Sequence, residues 1–323
     1  MSVVADLLRR HFDGAQPRFV STVQSLWSGY GAIERWQVAD TTVVVKRISP
    51  PTAVDHPRGW HSDLSHRRKL RSYQVESHWY RHLVAGAVPS PEGSIAPPCR
   101  MPRLLLSQHH GDDHLLVLED LHAAGFDCAV AAPTASQIRL CLKWLAQLHG
   151  HYLHHSTDGL WPQGSYWHLD TRPQEWAQMA DRPLQRAAGR IDGRLKAAQY
   201  QTLIHGDAKL ANFCLAAEEA AALDFQYVGG GSGVRDVAYF LGSCGAETLQ
   251  QREQWLGYYF SEFAQVLRQR RIDPEPIEHE WRALYDVEQA DFARFLNGWA
   301  PQHWKVNPCL QAAVARTLTQ LAQ

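Results

Sequence analysis

One stretch, LIHGDAKLANFCLAAEEAAALDFQ at residues 203–226, restricts the fold more than any other. Two short apolar runs flank AAEEA, and each carries polar groups at an end. Asp207 and Asn212 lie five residues apart, and Asp224 follows twelve beyond Asn212. That spacing predicts a loop holding the first two and a hairpin that returns the chain to the third, so three oxygen-bearing side chains converge. An Asn and an Asp offer hard oxygen donors that suit Mg²⁺, an ion that prefers octahedral geometry and shares phosphate oxygens. Asp207 is then left to orient a hydroxyl and accept its proton.

The surrounding chain changes character along its length. Residues 19–27 and 35–48 are rich in β-branched residues and bounded by turn residues, with Ala39-Asp40 as a turn and SGYGA between the runs. They predict an antiparallel meander. A polar, Pro-containing stretch at 49–65 reads as an inserted loop. Residues 69–83 then show apolar spacing of helical period. A Pro-rich link at 88–102 precedes two more strands, 103–107 and 114–118, joined by HGDD. From there helices dominate, at 136–153 and from 247 to the end, interrupted only by the strand-rich 202–227. A chain of 323 residues has room for about two domains. The division expected is a β-rich N-terminal lobe at 1–118, a junction at 119–124 and a helix-rich lobe at 125–323.

Composition excludes several classes. Lys plus Arg is 32 against 33 for Asp plus Glu, a balance that argues against a coat for nucleic acid or an anionic membrane. No apolar run approaches the ~18 residues of a membrane span. The N-terminus, MSVVADLLRRHFDG, carries Asp6, Arg9 and Arg10 within its apolar pattern and predicts an amphipathic first helix. The six cysteines contain no C-x-x-C pair, so neither a zinc ribbon nor a disulfide framework is expected, and a reducing cytoplasm fits them.

HGDAKLAN resembles the catalytic loop of the protein-kinase-like small-molecule phosphotransferases, a group that includes aminoglycoside phosphotransferases and choline kinases. LDFQ at 223–226 resembles their metal-binding segment, and its DFQ form is most similar to the ecdysteroid-kinase-like branch. The resemblance implies an α+β, bilobal protein-kinase-like fold, with an antiparallel sheet and one main helix in the first lobe and a mostly helical second lobe. It implies ATP and Mg²⁺ as cofactors and transfer of the γ-phosphoryl group to a small-molecule hydroxyl. Choline/ethanolamine- and aminoglycoside-type kinases are narrower alternatives. A nucleotide-binding pseudokinase is the alternative of another class, disfavoured by the intact Lys46, Asp207, Asn212 and Asp224.

Carried over by residue, the resemblance makes Asp207 the catalytic base and Asn212 and Asp224 the metal ligands. Lys209 matches a position where protein kinases place a Lys near the transferring phosphate, although many ecdysteroid-kinase-like chains have Trp there. His205 and Asp236 support the catalytic loop, and an N-cap role for Asp236 is compatible with this. In the first lobe, Lys46 would contact the α/β-phosphates and Glu76, thirty residues on, would hold it by an ion pair. The apolar Val43–Val45 places the Lys46 ammonium at the end of a buried strand; a surface Lys and an exposed helix Glu are the alternative. Backbone groups of Glu119 and Leu121, in LLVLEDL, would meet adenine. Gly29 and Gly31 either let N–H groups approach phosphates or form an ordinary hairpin turn, since no full G-x-G-x-x-G is present.

Only twelve residues separate Asp224 from Asp236. That is too short for the peptide platform of a protein kinase, so a small-molecule acceptor is favoured. Its pocket is expected between Asp207 and the helices at 247–269 and 275–296. Trp281, Tyr285, Asp286, Glu288, Asp291, Trp299 and Trp304 could cage a cationic acceptor there, or could simply be core aromatics and solvated acids. His109, His110, Asp112, Asp113 and His114 read as a polar hairpin tip, and His149, His151, His154 and His155 as partners for the carbonyls ending a long helix.

Overall fold

The computed structural model describes residues 3–26, 29–50, 63–84, 99–245, 248 and 250–322. Most of the expected loop at 49–65 and of the link at 88–102 lies outside the described residues. The chain divides into two compact units, Met1–Ala96 with Met101–Cys128, and Pro97–Arg100 with Ala129–Gln323.

The first unit is built on a five-stranded antiparallel sheet, order β1-β2-β3-β5-β4. Its strands are β1 (Arg18–Ser25), β2 (Gly31–Val38), β3 (Thr41–Ile48), β4 (Leu104–His110) and β5 (Asp113–Glu119). The predicted turn at Ala39-Asp40 joins β2 to β3, with Ala39 at φ +50°. Period-two alternation then assigns the faces. Val43 and Val45 pack with Trp36, Val38 and Val117 under Val4 and Leu8 of the amphipathic helix α1 (Val3–His11). On β3's opposite face, Ile48 packs against Tyr73 of helix α2 (Asp63–His78). Lys46 shares that parity, so its side chain is directed to the α2 side. The helix expected at 69–83 begins six residues earlier and ends in a π-helical turn, Trp79–Val84.

In the second unit α3 (Ala135–His151) opens on a capping box in which Thr134 and Gln137 satisfy each other's backbone N–H groups. Two short antiparallel pairs follow. One joins β6 (Thr202–Ile204) to β9 (Gly229–Gly231), the other β7 (Phe213–Leu215) to β8 (Ala220–Ala222). Helices α4 (Pro173–Ala177), α5 (Arg182–Lys196), α6 (Gly233–Ser243), α7 (Arg252–Gln269), α8 (Glu275–Trp299) and α9 (Pro308–Ala322) complete it. The 25-residue α8 is the spine, packing against α4, α5, α6 and α9. Among the described residues no helix is long and apolar enough to cross a membrane. Cys99, Cys141, Cys244 and Cys309 are free.

Candidate active site

The site in the second unit begins where β6 ends. Gly206 sits at φ +77°, and a Cβ there would lie 2.1 Å from the carbonyl oxygen of Tyr227. Only glycine makes that approach, and it turns the chain so that Asp207 leaves the strand. The β7–β8 hairpin then brings the chain back. Beyond its register pair Phe213–Ala222, the Leu223 N–H donates to the Asn212 carbonyl at 2.8 Å. Asp224 follows at φ +66°, a left-handed conformation uncommon for a residue with a side chain. Its Oδ1 accepts from Gln226 Nε2 at 2.6 Å. The loop and returning hairpin read from the spacing are therefore present.

Asp207 is 5 % exposed, and its two oxygens have different surroundings. Oδ2 accepts from Lys209 Nζ at 2.9 Å and from Asn212 Nδ2 at 3.0 Å. Oδ1 is buried and makes no hydrogen bond of ordinary length among the described residues. Asn212 Nδ2 also donates to the Asp207 carbonyl at 2.8 Å. Both neighbours are acceptors, which fixes the amide orientation and turns Asn212 Oδ1 away from Asp207. Burial opposes the Lys209 charge, but the Asp207 carboxylate outweighs it and holds the ammonium above its ordinary pKa. The Tyr239 hydroxyl is pushed well up by burial, helped by the charges of Tyr166 and Asp207 and by its hydrogen-bonding interactions with both.

Behind the loop lies a fully buried polar network. Asp236 accepts the His205 N–H at 2.6 Å through Oδ2 and the Gly206 N–H at 3.0 Å through Oδ1. His205 Nε2 meets the Leu223 carbonyl at 2.9 Å, while Nδ1 accepts the Asp207 N–H at 3.2 Å. One imidazole thus ties the Asp207 loop to the segment carrying Asp224. His149 was expected to face helix-ending carbonyls. Instead it is buried, with Nε2 3.2 Å from Asp236 Oδ2 and Nδ1 2.8 Å from the Tyr259 hydroxyl. Its partners are 87 and 110 residues away, so no local pattern could announce them.

In the first unit, Lys46 Nζ pairs with Glu76 Oε2 at 2.7 Å, the side chains 4 % and 2 % exposed. The alternative of a surface Lys and an exposed Glu is thereby excluded. The Glu119 N–H donates to the Arg103 carbonyl at 3.0 Å, and the Leu121 carbonyl accepts from Phe126 N–H at 2.9 Å. Between them the buried Asp120 binds Arg35 Nε at 2.7 Å, Thr42 Oγ1 at 2.6 Å and His122 N–H at 3.1 Å. Burial alone would raise its pKa; Arg35 and Thr42 reverse that and hold it below the usual range. Asp120 anchors this segment to β2 and β3. Gly31 has its own cause in the sheet, because a Cβ there would lie 2.0 Å from the Arg47 carbonyl oxygen. Gly29, at φ +73°, has no neighbour within 4 Å of such an atom.

The aromatics and acids of the C-terminal helices do not form a cage for a cation. Trp281 is fully buried core, and Trp304 is 61 % exposed. Asp286 is held by Arg316 at 2.6 Å, Asp291 by Arg294 at 2.9 Å and Glu288 by Arg235 at 2.8 Å. Each acid already has its cation. The His109–His114 region is the β4–β5 hairpin turn.

The sequence model of the ecdysteroid kinase-like family matches residues 166–271, about a third of the chain and the part that holds Asp207, Asn212, Asp224 and Asp236. No curated protein matches by sequence. Among solved structures, an amicoumacin kinase in complex with AMP-PNP, Ca²⁺ and Ami aligns over 95 % of this chain and 87 % of its own, at 14 % identity and a TM-score of 0.51. Choline kinase from Streptococcus pneumoniae aligns over 99 % and 98 %, at 12 % identity and TM-score 0.50. A spectinomycin phosphotransferase complexed with ADP and spectinomycin aligns over 98 % of both chains, at 11 % identity and TM-score 0.51. At these identities the likeness establishes the fold. It is that of the small-molecule kinases, with an antiparallel N-terminal sheet and a helical C-terminal unit.

Proposed function

We propose that this protein transfers the γ-phosphoryl group of ATP to a hydroxyl of a small molecule, in a Mg²⁺-dependent reaction. The observation that carries the reading is the asymmetry of Asp207. Lys209 and Asn212 pin Oδ2, while Oδ1 is buried and makes no hydrogen bond of ordinary length, the Tyr239 hydroxyl being the donor that approaches the carboxylate. A buried carboxylate oxygen left unmatched is costly, and an acceptor hydroxyl bonded to Oδ1 relieves that cost.

In this reading Asp207 holds the acceptor hydroxyl and takes its proton at Oδ1. The acceptor oxygen forms a bond to the γ-phosphorus as the bond from that phosphorus to the β–γ bridging oxygen breaks, leaving ADP. Lys209 offers positive charge beside the transferring group. The donor set fits a magnesium ion. Asn212 turns its amide nitrogen inward and keeps its oxygen for an outside partner, and Asp224 adds a carboxylate. An ion held there would share phosphate oxygens and lower the repulsion met by the incoming hydroxyl. In the first unit, Lys46, fixed by Glu76, would bind the α/β-phosphates. Adenine would fall to the Glu119 carbonyl and the Leu121 N–H. His205, Asp236 and His149 shape the loop without touching substrate.

The test is phosphotransfer from ATP across a library of small alcohols, with and without Mg²⁺. Labelled phosphate should appear on at least one alcohol, and only with the metal. Nucleotide binding with no transfer to any member would favour a binding module over an enzyme.

A further inference from the structure

A pocket in the second unit opens to solvent among α6, α8 and α9. Three of its walls are rings. Trp167, Tyr239 and Phe292 stand 4.9–5.0 Å apart, centroid to centroid. Its charged side chains are not all paired within the wall. Arg235 and Glu288 neutralise each other within the wall at 2.8 Å. Lys305 has no such partner. It is 8 % exposed, and its ammonium lies 3.9 Å from the centre of the Tyr239 ring and 5.6 Å from that of Phe292. Through that ammonium it makes no hydrogen bond or ion pair among the described residues. A ring face attracts a cation but accepts none of its N–H groups as an oxygen does. Trp167 Nε1, from another wall, is also a buried donor without an acceptor.

The pocket is close to the reacting groups. Burial lowers the Lys305 ammonium to about 8 even though the nearby Asp207 carboxylate works in the opposite direction, and that same carboxylate also raises Tyr239. Two donors without acceptors, one of them a buried ammonium, and flat apolar walls define a complementary ligand: a planar or apolar body bearing an anionic oxygen group.

We propose that this pocket admits the acceptor through a carboxylate placed on Lys305, so that the substrates are hydroxyl-bearing acids and not amino alcohols. This rests on the phosphotransferase reading for the hydroxyl, but the recognition itself can be measured without turnover.

The probes are 3-(hydroxymethyl)benzoate, its primary amide and 3-(hydroxymethyl)benzylamine. Their binding to the full chain would be followed by ligand-observed NMR without nucleotide. The benzoate should bind about tenfold or more tightly than the benzylamine, as for a charge-assisted bond. The preference should vanish in Lys305→Met and survive in Lys305→Arg, with circular dichroism verifying that both variants fold. Equal or tighter binding of the benzylamine, no detectable binding of the benzoate, or a benzoate preference that persists in Lys305→Met would each overturn the proposal. So would weakened AMP-PNP binding in Lys305→Met with probe binding intact, because Lys305 would then serve the nucleotide phosphates. Phosphotransfer to the benzoate is a separate readout. Its absence alongside Lys305-dependent binding would count against the kinase reading and leave the anionic pocket standing.

Discussion

The Asp236 carboxylate accepts the backbone N–H of His205 at 2.6 Å, and with its other oxygen that of the adjacent Gly206 at 3.0 Å. The loop that presents Asp207 is therefore held by an acid 31 residues away that is itself completely buried. Asp236→Asn keeps one acceptor and sets an amide N–H₂ against a donor. It should cost about 1–3 kcal/mol of stability in urea unfolding. It should also depress phosphotransfer, although Asp236 touches no substrate. Unchanged stability would contradict the network.

Glu76 and Lys46 form a buried pair, so removing either takes a close ion-pair partner from the other. Glu76→Ala takes the 2.7 Å partner from a buried ammonium and should destabilise the protein in urea unfolding. Lys46→Met and Glu76→Ala should both weaken ATP binding, measured by calorimetry. If ATP binds the Lys46→Met variant as tightly as the parent, Lys46 does not serve the phosphates.

Legibility from sequence follows contact distance along the chain. The Asp207–Asn212–Asp224 group could be read because five- and twelve-residue intervals span one loop and one hairpin. Lys46 could be read because an apolar strand leads into it, and its depth in the fold agrees. His149 was misassigned because Asp236 and Tyr259 reach it only through tertiary packing. Asp286 and Glu288 of α8 were legible as acids but not as paired ones, since Arg316 and Arg235 come from other helices. Lys305 lies in a short connection before α9 with no pattern around it, and its isolation is visible only once the rings surround it. Gly31 was read as a phosphate-approach or turn residue, whereas the crowding at that position comes from the Arg47 carbonyl across the strand pair.

Asp224→Ala should reduce affinity for Mg·ATP and remove most of the metal dependence of nucleotide binding, because Asn212 alone supplies one neutral oxygen. Calorimetric titration of AMP-PNP with and without Mg²⁺ measures both. Metal-dependent binding that survives the substitution unchanged would remove Asp224 from the metal site.

His168 gives a stability signal at mildly acidic pH. Burial lowers its pKa to about 4, outweighing its 2.8 Å contact with the Ser165 carbonyl. The unfolded chain takes up the proton near the ordinary 6.5 and the folded chain only near 4, so the unfolded state binds more protons between them. The stabilisation is complete above about pH 6.5 and is lost as pH falls toward 4. Between pH 7 and 5 the parent should lose about 1–2 kcal/mol more than His168→Gln. Parallel urea denaturation curves at the two pH values test this, and identical losses would refute it.

The central claim is that Asp207 accepts the proton of the attacking hydroxyl. Once an acceptor is in hand, single-turnover transfer of labelled γ-phosphate by Asp207→Asn tests it most directly. The amide conserves size and retains hydrogen bonding but cannot take the proton. Transfer should fall about 10²- to 10⁴-fold, the range for a positioned general base, while the dissociation constant for ATP moves little. Transfer at the parent rate would contradict the account and remove Asp207 from the chemistry.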